Sequence, residues 1–160
     1  MSVAETVGRV MNRFFDRMRH PAAFKLRPED AVNESFEALR GKKYGVFVTF
    51  RRSGEAVPSP VWFAVDDQGR AYVRTMHDCG KVKRIRHDGR ALLAPCTSRG
   101  KPTGPAVAGT ARELPKDEWA HAEATLAAAY GMGRRIYEGM VGEAEGLETY
   151  IEIAPQRPAT

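Results

Sequence analysis

YGVFVTFRRSGEAVPSPVWFAVDDQGRAYVRT, from Tyr44 to Thr75, decides the fold. Tyr44, Val46, Val48 and Phe50 alternate with Gly45, Phe47 and Thr49, the spacing of a strand whose side chains project to opposite faces. Arg52-Ser53-Gly54-Glu55 reads as a turn and Val57 to Val65 as a returning strand. Asp66-Asp67-Gln68-Gly69 turns the chain again into a third strand, Ala71 to Thr75. Links this short cannot carry the helical crossovers that parallel strands need, so the three form an antiparallel meander.

Downstream, Ala91 to Cys96 reads as a fourth strand, with Pro95 marking an edge or a bulge. Ser98 to Pro105 is a Gly- and Pro-rich turn, and Val107 to Leu114 a fifth strand. A helix starts at Pro115 and runs to Tyr130-Gly131, a shorter helical piece spans Met132 to Val141, and Glu148 to Ile153 is a sixth strand. Upstream, Val3, Val7, Val10, Phe14 and Met18 recur at helical spacing beside Arg9, Arg13 and Arg17, and a second helix is expected from Pro28 to Arg40. The expectation is one mainly β domain with flanking helices: an N-terminal helical extension over 1–41, then a six-stranded antiparallel barrel over 42–155.

Between the third and fourth strands lies TMHDCGKVKRIRHDGR, Thr75 to Arg90. The strand breaks over Met76 to Gly80 and restarts as a short basic helix. Val82 and Ile85, three apart, can face a core, while Lys81 and Arg84 project together with Lys83 and Arg86 beside them. A strand end, a polar turn and cations on a helix's first turn can cradle an anion, because free N–H groups and the positive dipole end add to the side-chain charge. The same residues also read as a solvated basic face packed on two apolar side chains.

Composition narrows the function classes. Among 160 residues, 25 Lys and Arg stand against 20 Asp and Glu, a net charge of +5 that suits an acidic partner but forms no polybasic block of the nucleic-acid kind. No apolar run reaches membrane-spanning length and the N-terminus has no uninterrupted apolar core, so a cytoplasmic protein with reduced Cys79 and Cys96 is expected. Four histidines and two cysteines show no metal-ligand spacing, and there is no Walker loop, dinucleotide glycine fingerprint or nucleophile elbow.

Three blocks, VTFRRSGEAVPSPVWFAVDDQGRAYVRT, CGKVKRIR and APCTSRGKPTGP, occur in this order and spacing. Together they resemble the pyridoxamine 5′-phosphate oxidase-like, FMN-binding split β-barrels, and more narrowly the branch that uses the deazaflavin coenzyme F420. The likeness covers Tyr44 to Leu114 and does not extend over the N-terminal forty residues. It implies a homodimer with the cofactor in a groove between two barrels, no nucleic acid and no membrane span. Thr49 and Arg51 on the first strand and Pro60, Val61 and Trp62 on the second would approach the cofactor. Arg74, Thr75, Lys81, Lys83 and Arg84 would hold its phosphate. Cys79 stands where the branch often has serine, and a thiol is a poorer hydrogen-bond donor. Read from the residues alone, Trp62 reads first as a packing tryptophan and Thr49 as a plain sheet threonine.

The implied activity is hydride transfer from reduced F420 to an unsaturated small molecule. FMN is the alternative cofactor, and a non-catalytic F420 carrier the alternative role. A basic RNA-binding barrel is disfavoured, since no aromatics interleave the cations between Gly80 and Arg90. No residue is assigned a catalytic role; Tyr130, Tyr137, His77 and His87 qualify only as groups able to titrate or hydrogen-bond.

Overall fold

The computed structural model describes residues 20–32, 35–130 and 146–156, together with Val3 and Thr6. The expected helices over the first twenty residues and over Met132–Val141 lie outside the described residues. The elements are strands β1 (Tyr44–Phe50), β2 (Ala56–Trp62), β3 (Ala64–Val65) and β4 (Ala71–Met76), helix α1 (Gly80–His87), strands β5 (Arg90–Pro95) and β6 (Val107–Glu113), helix α2 (Trp119–Tyr130) and strand β7 (Glu148–Pro155). Every expected strand is present.

Among the described residues, seven strands join one antiparallel sheet in the order β2-β1-β5-β6-β7-β4-β3. The two outermost strands are halves of one run of chain, separated by Phe63 alone, so the sheet curls until its edges meet in sequence. This curled sheet is consistent with the expected split barrel, but it has seven strands rather than six. The expected strand Val57–Val65 divides at Phe63. Tyr130 of α2 donates its hydroxyl to Phe63 O and to Lys43 O, and Phe63 N–H turns to Lys43 O, which removes Phe63 from the regular ladder. The Phe63 ring then packs inward against Gly45, where a Cβ would lie 3.0 Å from its ring carbons.

The barrel interior holds Phe36, Phe47, Phe63, Val73, Leu93, Ile151 and Ile153, each essentially inaccessible to water. Val82 and Ile85 of α1 complete that core, and burying each contributes about 1.5–3 kcal/mol. The outer face of β1 and β5 carries Val46, Val48, Phe50, Leu92 and Ala94 beneath Ala23 and Ala106. The outer face of β4 and β7 meets α2 through Tyr72, Tyr150, Leu126 and Tyr130.

The expected helix Pro28–Arg40 is not formed. Two 3-10 turns stand there, Pro28–Asp30 and Phe36–Leu39. Val32 has left helical geometry to pair with β6: its N–H donates to Ala106 O at 2.9 Å, and it accepts from Ala108 N–H at 3.1 Å. Phe36 and Leu39 enter the barrel core itself. Pro95 ends β5 beyond the last β5–β6 pair, where only β1 still pairs with it, so no ladder bond needs the amide it lacks. Among the described residues, no helix is long and apolar enough to cross a membrane.

Candidate functional site

The chain leaves β4 at Met76 and turns into α1, whose N-cap Cys79 makes no side-chain cap bond. The first-turn amides of a helix have no intrahelical acceptor, so they face outward as donors at the positive end of the helix dipole. No acidic residue occupies that turn.

Two cations of α1 reach back onto buried threonines of different strands. Arg84 Nε donates to Thr49 Oγ1 at 2.6 Å, and Lys81 Nζ donates to Thr75 Oγ1 at 3.3 Å. Both hydroxyls are buried. Thr49 lies just past the last β1–β5 pair, Val48 with Leu92, at the mouth of the barrel. The Arg84 guanidinium folds over Gly80: a Cβ added there would sit 2.8 Å from Arg84 Nη1. Glycine therefore lets the guanidinium lie close over the helix start. Arg86, read as part of the same basic face, instead bonds Glu113 of β6 at 2.9 Å and His77 O at 3.2 Å, which anchors the helix. Cys79 Sγ lies 3.4 Å from Thr75 Oγ1 and 3.8 Å from Lys81 Nζ, so the thiol stands inside the cluster.

The structure thus brings Thr49, Thr75, Lys81 and Arg84 together. Lys83 is exposed on the helix, and Arg51 is exposed beyond β1, paired with Glu55 at 3.4 Å. Arg74 is half-buried and, by strand alternation, faces away from Thr75, on the side of Tyr72 and Tyr150.

Pro60, Val61 and Trp62 do not form one flat wall, because alternation divides them. Val61 enters the barrel core, whereas Pro60 and Trp62 face outward. Trp62 packs edge-on to Tyr44 (centroids 5.7 Å apart) and tilted on Tyr130 (5.2 Å). It pairs with Tyr44, five residues along β1 from Thr49, a separation of roughly 17 Å at strand rise. Within one chain, then, the outward aromatic surface and the cationic cluster sit at opposite ends of β1.

A second polar constellation escaped the sequence reading. Asp66 is buried in the β3–β4 turn and accepts Gln68 N–H and Arg70 N–H, both at 2.9 Å, the Tyr72 hydroxyl at 3.1 Å and His121 Nε2 at 2.9 Å. Burial pushes its carboxyl up, but these four donors outweigh burial and hold it below the usual carboxylate range. Tyr72 also contacts Glu152, which pairs with Arg112 at 3.0 Å. Burial, then the charges of Asp66 and Glu152, push the Tyr72 hydroxyl strongly up. The only local signal was an Asp at the head of a turn; the histidine lies 55 residues away. Cys96 is half-buried, and burial pushes its thiol up to about 11.

No family model matches this chain, and no curated protein matches it. Solved structures do resemble it. HutZ, the heme storage protein from Vibrio cholerae, superposes with a TM-score of 0.56 at 13% identity, over 72% of this chain and 83% of that one. A structure described as an F420 reductase gives 0.52 at 18% identity, over 78% and 95%. The protein Atu2129 of Agrobacterium tumefaciens, of unknown function, gives 0.57 at 13% identity; 72% of this chain is matched, and it spans about half, 49%, of that one. At these identities the likeness speaks for the fold.

Proposed function

We propose that this chain is a flavin-type cofactor-binding oxidoreductase that grips an anionic handle of its cofactor at the start of α1. The observation that carries the reading is the pair of cations fixed on buried hydroxyls, Lys81 on Thr75 and Arg84 on Thr49, beside uncapped helix amides. These residues fit a phosphate: two charges are pre-positioned, the amides point outward, and Gly80 lets the Arg84 guanidinium lie over the helix start. Within one chain no aromatic surface made by Trp62 lies beside them, so the ring would need other walls. A homodimer with the cofactor between two barrels, as the sequence resemblance implies, supplies them from the second subunit.

The finer assignment is F420, and the chemistry F420 supplies is a hydride from its reduced ring, here to an unsaturated small-molecule acceptor. The chain's own residues bind the handle through Lys81 and Arg84, with Thr75 and Thr49 holding those side chains in place. Lys83 and Arg51 are exposed cations near enough in sequence to meet additional carboxylates of the cofactor tail. Support comes from the three sequence blocks and from the likeness in fold to a described F420 reductase.

A carrier that shelters F420 without turnover is the second reading, favoured by one observation. Tyr130, one of the groups able to donate a proton, is committed to the carbonyls of Phe63 and Lys43. Purified protein should be titrated separately with F420 and FMN while absorbance is followed, then given reduced F420 with and without menadione. Retention of F420 with quinone-dependent oxidation supports the reductase; retention without turnover supports the carrier. Retention of FMN alone transfers the case to a flavoprotein.

A further inference from the structure

On the opposite side of the barrel, β3 and its following turn face α2 across a cleft of about 550 Å³. The geometry points to a second ligand site here, for a small organic anion that carries a hydroxyl beside its phosphate or carboxylate. The inference is independent of the cofactor reading, because the cleft and the α1 cluster share no residue.

The cleft has one oriented polar group. All four hydrogen bonds to Asp66 come from within the chain, which leaves that carboxylate with no role toward a ligand except through His121. An ionised carboxylate only accepts, so His121 commits Nε2–H to Asp66, and Nδ1 is the ring nitrogen that faces away from it. Tyr72 stacks edge-on against the imidazole, centroids 5.4 Å apart, and fixes the ring plane. The imidazole is exposed to solvent although its partner is buried. A ring nitrogen held this way suits a hydrogen bond with a hydroxyl, which can both donate and accept.

Cationic side chains also line the cleft. Arg40, Lys42 and Lys43 line the cleft against the carboxylates of Asp66 and Asp67. Arg40 is pinned to Glu37 at 2.7 Å and to the Asp66 carbonyl, so its task is structural. Lys42 and Lys43 remain as cations for an anionic group, and the Lys43 backbone is held by Tyr130 and Phe63. Ala124 and Ala128, one helical turn apart on α2, form a smooth apolar wall that leaves space for a carbon skeleton. Anion at the lysines, hydroxyl at His121 and carbon against the alanines is a consistent division of the cleft.

Isotope-labelled protein should be titrated with sn-glycerol 3-phosphate, with glycerate, and with methyl phosphate as the hydroxyl-free control. The His121 ring and the Gly80 amide, observed by NMR, report the two sites separately. A saturable His121 shift is expected with either hydroxylated probe, and the responding probe tells phosphate from carboxylate. In the Lys42→Gln/Lys43→Gln double variant the affinity read at His121 should fall about tenfold, with any Gly80 shift unchanged. The affinity ratio of glycerol 3-phosphate to methyl phosphate, read at the amide of cleft-lining Gln68 in both proteins, should collapse in His121→Phe. Shifts at Gly80 alone, an unchanged His121 response in the lysine double variant, or equal response to methyl phosphate in the wild type would overturn the proposal. Both substitutions are at the surface, and an unchanged melting temperature of the lysine double variant shows that it is folded.

Discussion

Arg84 Nε donates to Thr49 Oγ1 at 2.6 Å, joining helix α1 to the end of strand β1 across 35 residues of sequence. The bond does two things. It ties the helix to the barrel mouth, and it sets the guanidinium over Gly80, where an anion at the helix start would meet it.

Thr49→Val keeps the shape of the side chain and removes the acceptor. Charge-assisted bonds of this kind contribute about 1.5–3 kcal/mol, and Arg84 is half-buried, so a loss near the lower end, about 1.5 kcal/mol, is expected in urea unfolding. Cofactor affinity should fall in the same variant. Unchanged stability would mean that the contact contributes nothing net.

Gly80→Ala separates packing from binding. Alanine is the better helix former by up to about 1 kcal/mol, and the atom its Cβ meets is the far end of a flexible side chain, Arg84 Nη1. The melting temperature should hold or rise, while displacement of the guanidinium weakens anion binding. A variant that binds as tightly as wild type would place the ligand elsewhere.

Tyr130→Phe removes the hydroxyl that serves Phe63 O and Lys43 O. A buried carbonyl left without its donor costs about 1–3 kcal/mol, so chemical denaturation should show a loss of that size. Binding at α1 should be unaffected, since the change lies at the other end of β1.

Asp66 predicts an acid limb in stability. Its carboxyl lies below the ordinary value when folded, so the folded state binds its proton less readily than the unfolded chain. The stabilisation is complete above the unfolded value near 4 and is lost as pH falls through the lower folded value. Asp66→Asn should be less stable at neutral pH and should flatten the melting-temperature profile below about pH 4. An equally steep profile in the variant would assign the acid limb to other carboxylates.

The contrast between β1 and its neighbours shows what the sequence made legible. Strict alternation over Tyr44–Phe50 fixes a strand because one face is core and the other is covered, and both faces are visible in the residue types. The same logic reads Val57–Val65 as a single strand and misses the break at Phe63. Its cause is a hydroxyl 67 residues away on α2. Pro28–Arg40 looks helical locally, yet Val32 is drawn off by the edge of β6, a tertiary pairing that no propensity records.

At the site, the basic helix and its core-facing Val82 and Ile85 were readable from spacing, and so was the nearness of Lys81 to Arg84. That both cations would be anchored on buried threonines was not readable, and Lys81 proves half-buried where its charge suggested exposure. The alternation used to find β2 also sends Val61 to the core and Pro60 and Trp62 outward, so the three do not share one face. His121 and Asp66 meet only because α2 packs over the β3–β4 turn.

The most direct test of the account is a spectroscopic titration of F420 into wild-type protein and Lys81→Ala. Wild type should saturate, and the variant should bind at least about tenfold more weakly, the loss of one charge-assisted bond of about 1.5–3 kcal/mol. Its melting temperature without cofactor should fall little, because the bond from Lys81 to Thr75 is long at 3.3 Å. Equal affinity in the two proteins, or no saturable binding in wild type, would contradict the assignment of the α1 cluster as the cofactor's anchor.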